Sequence, residues 1–227
     1  MFGLALLDWR RRRLLRKAPP GPMRDYLATP FPKASTDWRG VEFLALDLET
    51  TGLDQRRDAV LSVGHVTLSG GRIELASATH CLVRIAGSIP EASAVIHQIT
   101  DDQAAQGGDL ETVLADLLGT LAGRVLIAHH ARVETEFIGA ACRRAYGVGL
   151  VVPVVDTQRL AQRWFERRQI GYKGSDLRLH ALGERYNLPR YAAHNALYDA
   201  LAAAELFLAQ ADSLGNGRSL PLGRLLS

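Results

Sequence analysis

The chain has 227 residues, enough for one full core with some chain to spare, so a second large domain is not expected. Hydrophobic residues make up 47% and charged residues 22%, an ordinary globular balance, and no run approaches the roughly 20 apolar residues that cross a bilayer. Net charge is +3, unevenly spread: residues 1–40 hold nine Lys/Arg against three Asp/Glu, and the remainder holds 18 against 21. The two cysteines, Cys81 and Cys142, have no metal-type spacing and fit a reduced, cytoplasmic protein. The opening "MFGLALLDWRRRR" places its apolar run before the arginines, the reverse of a secretory signal.

Along the chain, residues 4–17 can form a short helix with Leu4, Leu7, Leu14 and Leu15 near one face, ended by "PPGP". Residues 23–40 are Pro-interrupted and read as an extended linker. Residues 41–49 form a buried strand. "AVLSVGHVTL" (59–68) and "RIELASATHCLV" (72–83) are two strands joined by a "SGG" hairpin turn. Helical spacing covers 109–123, a short strand 124–130, and a further helix 131–147 ends at Gly147. "LVVPVVD" (150–156) is another apolar run, with Asp156 capping a helix from Thr157. A helix over 175–189 has Ser175 as its cap, and the last helix spans 195–211. A hairpin meander followed by alternating strands and helices gives an α/β fold, a mixed sheet covered by helices.

"FLALDLETTGLD" (43–54) runs a buried strand into charge. Residues two apart share a strand face, so Asp47 and Glu49 point the same way. Such a pair is desolvated at a cost of several kcal/mol unless a cation pairs with it. A divalent metal and a solvated strand end both fit this D-x-E. Asp199, in "HNALYDA", lies in an Ala/Leu-rich helix. His194 meets it only by standing in the loop before that helix, with Asp199 in its second turn and Asn195 as a cap. In "ARVETEFIGAA", Glu136 shares the solvated face with Arg132 and Arg143. Glu134 shares the apolar face with Phe137, Ile138 and Ala141, an inward acid that needs a reason.

Together, "LDLETTGLD", "LIAHHARVETEFI" and "AHNALYDA" resemble the three motifs of the DEDDh 3′-to-5′ exonucleases, whose best-known member is the epsilon subunit of bacterial DNA polymerase III. The resemblance runs from about Val41 to Ala211, with "VIHQIT" and "VVDTQRLA" as secondary matches. It implies an RNase H-like fold with a central mixed sheet of about five strands and helices on both sides. It divides the chain into a basic leader and linker (1–40), an exonuclease domain (41–211) and a short tail (212–227). It also implies Asp47, Glu49, Glu134 and Asp199 as ligands of two Mg²⁺ or Mn²⁺ ions, with His194 as general base. Thr50, Thr51, Leu53, His97, Ile99 and His129 would lie near the terminal nucleotide.

The substrate expected is a nucleic-acid 3′ end, single-stranded DNA before short or structured RNA, with nucleoside 5′-monophosphates released. The short tail points to a repair or accessory enzyme rather than the replicative proofreader. The basic leader is available to nucleic acid, an anionic surface or a partner protein. This sequence departs from the family pattern at His130, Val133 and Glu134 in the second motif, and at Ser62, His65 and Gln98 elsewhere. Glu134 in place of the usual Asp raises an alternative, a nucleic-acid-binding or regulatory subunit with weak catalysis.

Overall fold

The computed structural model describes residues 2–227, with Met1 outside the described residues. The central strand is β1 (Phe43–Thr50), flanked by β2 (Val60–Ser69), β3 (Arg72–Leu82), β4 (Val125–Ala128) and β5 (Val154–Asp156). The order is β3-β2-β1-β4-β5. β1–β2 and β2–β3 pair antiparallel, while β1–β4 and β4–β5 pair parallel. The hairpin turn falls where expected: Gly70 and Gly71 both adopt positive φ, 57° and 72°, as a tight two-residue turn requires.

The alternation of β1 builds two apolar layers. Leu44, Leu46 and Leu48 pack with α5 (Leu110–Leu121) and α6 (Arg132–Tyr146), through Leu114, Leu118, Phe137 and Ile138. Phe43 and Ala45 face the other way and join Ala204, Phe207 and Ala211 of α9 (Ala196–Gly215). The Phe43 and Phe207 rings lie 4.8 Å apart. Helices therefore cover both faces, as the resemblance implied.

The leader differs from expectation. Residues 2–15 form α1 (Phe2–Leu15), but the expected linker contains a second helix, α2 (Pro22–Ala28). Pro22 sits in its first turn, where a missing N–H is harmless, so the proline starts a helix rather than marking extended chain. Met23, Tyr26 and Leu27 are fully buried in the α5/α6 layer, and the Tyr26 hydroxyl donates to the Val151 carbonyl at 2.8 Å. Arg11 is buried too, donating to the Leu27 carbonyl and to Asp8. Leu4 joins the α9 layer, so α1 touches both layers. Arg10, Arg12, Arg13, Arg16 and Lys17 remain exposed. The tail is equally integrated: Leu220, Leu222 and Leu225 are buried, and Asp37 accepts from Ser219 and Leu220 at 2.7 and 2.8 Å.

Two further differences are local. Residues 91–105 carry short helices, α3 (Glu91–His97) and α4 (Asp101–Ala105), the second closed by a Thr100–Gln103 capping box. Segments this short give no readable periodicity. The helix expected over 175–189 is a 3-10 turn, Gly174–Leu177, followed by α8 (Leu179–Arg185). Ser175 does not cap it, because the α8 N-terminus falls at Arg178. The helix after β5 is α7 (Thr157–Arg167). No helix among the described residues is long and apolar enough to cross a membrane.

Leu27→Ala is expected to destabilise the protein by about 2–5 kcal/mol, as for other fully buried leucines. Urea denaturation measures this. A change under about 0.5 kcal/mol would mean that α2 is detachable.

Candidate active site

The acids follow from the alternation of β1. Asp47 and Glu49 continue the Phe43–Ala45 face, past the point where α9 supplies apolar side chains. There the sheet meets the α9 N-terminus instead. Gly64 on β2 lies opposite Asp47. A Cβ on Gly64 would fall 2.1 Å from the backbone of Ala196 and Leu197, so only glycine lets α9 settle this close. Asn195 caps the helix by accepting from the Leu197 and Tyr198 N–H groups. Asp199 falls in the first turn rather than the expected second, because the helix starts directly after the Asn195 cap, and is thereby aimed back at β1. His194 stands in the preceding loop at φ 66°, and its backbone N–H donates to Asp199 Oδ2 at 2.8 Å. This is the loop placement that the five-residue spacing demanded.

Donor atoms of Asp47, Glu49 and Asp199 all lie within 4.8 Å of one another. Glu134 comes from the first turn of α6 and is 2% exposed, an inward acid as its helical face predicts. It sits close enough to raise the Asp47 pKa but is not among these converging donors. Asp156 has the structural role assigned to it. One carboxylate accepts from the N–H groups of His130, Ala131, Gln158 and Arg159, fixing the starts of α6 and α7 together.

A second histidine reaches the acids. His97, the last residue of α3, brings Nδ1 to 2.6 Å from Glu49 Oε2, though without hydrogen-bond alignment. Its Nε2 bonds to the Thr50 carbonyl at 3.1 Å, which accepts and so places the proton on Nε2. The His97 and His194 rings lie edge to face, 6.0 Å apart. The Ser93 hydroxyl donates to the Thr51 carbonyl at 2.9 Å, so α3 is tied to the turn after β1. Gln98 takes φ 55°, which explains why glycine is usual there.

The other expected nucleotide contacts divide. Leu53 is 78% exposed beside the site. The Thr50 hydroxyl donates to the Gly52 carbonyl at 2.6 Å, and the Thr51 hydroxyl donates to Asp58 and accepts from Ala59, so both shape the turn. Ile99 is not at the surface: it is buried with Leu61, Ile89 and Ala104, an apolar anchor for the α3–α4 segment. His129 is tied within the fold. Its Nδ1 lies 2.8 Å from the Thr157 hydroxyl and its Nε2 2.9 Å from the Leu177 carbonyl, leaving neither nitrogen for a substrate. Burial pushes its pKa down to about 4, so it is a neutral tie between β4, α7 and the 3-10 turn. His130, exposed at φ 64°, occupies a backbone position that asparagine favours. A cleft of about 740 Å³ opens beside His194 and Asp199, with Arg178, His180, Arg190 and Tyr191 on its wall. The sequence offered no motif for those residues.

Electrostatically the site is frustrated. Removal from water, then Asp199, pushes the Glu49 carboxyl up to about 8. Removal from water also pushes Glu134 up to about 8, with Asp156 and Glu49 adding to it. Asp47 is held well above the carboxylate range by desolvation and by the charges of Glu134, Glu49 and Asp199. Asp199 is raised by desolvation, against the lowering effect of the His194 N–H. Among the described residues, no Lys or Arg forms an ion pair with any of the four. Glu49 Oε1 and Glu134 Oε2 are buried without hydrogen-bond partners. Clustered carboxylate oxygens with unused lone pairs are the donor set of a hard divalent cation, and the residues present fit one.

The mixed five-stranded sheet, with acids hung from its central strand, is the RNase H-like arrangement that the resemblance implied. The sequence matches the exonuclease family (RNase_T) over residues 44–207, and the chain belongs to that family. It is 33% identical to the DNA polymerase III epsilon subunit of Treponema pallidum over 167 residues, 74% of this chain and 75% of that one. It is 30% identical to the PolC-type DNA polymerase III of Thermotoga maritima over 166 residues, 73% of this chain but only 12% of that polymerase. Among solved structures, the nuclease domain of 3′hExo, a DEDDh family member bound to rAMP, superposes with TM-score 0.66 at 15% identity, covering 85% of this chain and 98% of that one. Exonuclease X in complex with 5′-overhanging duplex DNA gives TM-score 0.59 at 22% identity, covering 81% and 98%.

Two outcomes are expected. Gly64→Ala should displace the α9 N-terminus by an ångström or more and reduce turnover about 100-fold. Unchanged turnover would show that α9 placement does not matter. The raised carboxyls make the fold bind more protons than the unfolded chain, so stability should fall as pH rises from about 5 to 8. Thermal melts in chelator should show this fall, and Mn²⁺ should raise Tm more at pH 8 than at pH 5. Equal shifts at both would refute it.

Proposed function

We propose that the chain is a divalent-metal-dependent 3′-to-5′ exonuclease acting on single-stranded DNA ends and releasing nucleoside 5′-monophosphates. The observation that carries this reading is the convergence of carboxylates from β1 and α9, unanswered by Lys or Arg, with the buried Glu134 of α6 nearby and an exposed histidine beside them. Asp47, Glu49, Asp199 and Glu134 would hold two Mg²⁺ or Mn²⁺ ions. Bound there, such ions supply charge that favours hydroxide and stabilises the departing oxygen.

The protein's own groups do the rest. His194 is exposed on a loop whose backbone N–H donates to Asp199, and its ring would take the water's proton. The Thr50–Gly52 turn holds a fixed wall for the terminal nucleotide, with exposed Leu53 offering an apolar contact. Arg178 and Arg190 in the adjoining cleft complement the phosphates of the following strand. The exposed cations of α1 are proposed to contact nucleic acid, with an anionic surface or acidic protein as the other occupants.

A 5′-labelled single-stranded DNA oligonucleotide is expected to shorten from its 3′ end with Mg²⁺ or Mn²⁺. It should stay intact with chelator or in Asp47→Ala. No ladder with either metal, on DNA or matched RNA, would refute the proposal. RNA belongs in the same test: the neighbour 3′hExo holds a ribonucleotide and exonuclease X holds DNA. Faster degradation of RNA would make the chain an exoribonuclease. A repair or accessory role, rather than replicative proofreading, is part of the proposal. Tight binding to a replicative polymerase subunit would overturn it.

One observation favours a second reading, a nucleic-acid-binding subunit with weak catalysis: Glu134 is not among the converging donors. Glu134→Asp separates the two. Higher turnover supports the weak-catalysis reading, and lower turnover shows a site built for glutamate.

A further inference from the structure

We propose that Glu49, His97 and His194 form a second, nitrogen-rich cation site, overlapping the oxygen site at Glu49, that takes Zn²⁺ or a similar borderline divalent ion, and that its occupation switches off the exonuclease. The three residues present donor atoms within 4.8 Å of one another. They come from β1, α3 and the loop before α9, so the site assembles only in the fold.

The state of His97 points to a ligand. Its Nε2 proton is committed to the Thr50 carbonyl, which can only accept. Nδ1 lies 2.6 Å from Glu49 Oε2, out of line for a hydrogen bond, and has no other partner. Glu49 is 5% exposed, and its other oxygen, Oε1, is also unpartnered. A cation bound beside them would satisfy both unpartnered groups. The exposed ring of His194, 6.0 Å from that of His97, supplies the third donor from the solvent side. A backbone carbonyl bonded to the far nitrogen of a ligating histidine is the usual arrangement that orients such a ring.

Donor chemistry sets the class of ion. Asp47, Glu49 and Asp199 offer only oxygen and suit Mg²⁺ or Mn²⁺. Two imidazoles and one carboxylate instead suit Zn²⁺, Co²⁺ or Ni²⁺. Tetrahedral coordination would hold Nδ1 and Oε2 about 3.3 Å apart, so the pair must open by less than about 1 Å. Glu49 belongs to both donor sets. An ion on the histidine side would take Glu49 from the oxygen site and occupy the ring proposed to accept the water's proton. The two occupations are then mutually exclusive.

The site is tested on the full-length protein by Zn²⁺ titration in excess Mg²⁺, and by the visible absorption of Co²⁺. Intense tetrahedral Co²⁺ bands are expected from the wild type. His97→Gln should lose them and weaken Zn²⁺ binding about tenfold or more, since even outer ligand partners are worth that much. Its Mn²⁺ affinity should change less than about twofold, the oxygen donors being intact. Equal Zn²⁺ affinity in wild type and His97→Gln, or only weak octahedral Co²⁺ absorption by the folded wild type, would overturn the site. The inhibitory half rests on the exonuclease reading. Micromolar Zn²⁺ should stop wild-type degradation in millimolar Mg²⁺ and inhibit His97→Gln less. Inhibition that is equal in both would refute the switch. A protein without nuclease activity that still loses Zn²⁺ on His97→Gln would sink the exonuclease reading and leave the site standing.

Discussion

Repulsion among Asp47, Glu49, Glu134 and Asp199 is the constraint around which the structure is arranged. Each acid is largely withdrawn from water, and none is answered by a nearby Lys or Arg among the described residues. Left alone, like charges in a low-dielectric pocket would splay apart or bind protons. They stay together because each is anchored on an element whose position is set elsewhere. β1 is buried on both faces. The start of α6 is held by Asp156. The start of α9 rests on the bare backbone of Gly64. The apolar core thus holds a charge cluster that electrostatics alone would disperse, and a divalent cation is the group that relieves it.

The same logic explains how much structure surrounds so small a site. Asp156 joins the ends of β4, β5, α6 and α7 through one carboxylate, and the neutral His129 adds a second tie to the 3-10 turn. α3 is bound to the turn after β1 by Ser93 and His97. α1, α2 and the tail close the two apolar layers, through Leu4, Tyr26, Leu27 and Leu222. Placement of reacting groups to within about an ångström requires this rigidity. Leu53 and His194 stay exposed outside this rigid frame.

Much of this was legible in the sequence because it rests on local periodicity. The two-residue repeat of β1 put Asp47 and Glu49 on one face, and the helical repeat of α6 turned Glu134 inward and Glu136 outward. The spacing of His194 and Asp199 demanded a loop before a capped helix, and the structure has one. Short or proline-marked segments misled. Pro22 read as the end of the first helix but starts α2, and α3 and α4 were too short to register.

What the sequence determined by itself, then, was the order of the strands' burial faces, the acids on them and the family motifs that name the chemistry. These depend on repeats of two and 3.6 residues, which any local stretch displays. Only the tertiary structure decided which neighbours meet. It brought His97 onto Glu49, took Ile99 into the core, used both nitrogens of His129 internally and left Glu134 outside the converging donors. Those outcomes depend on packing between segments tens of residues apart, and no local repeat encodes the distance between two elements once they fold.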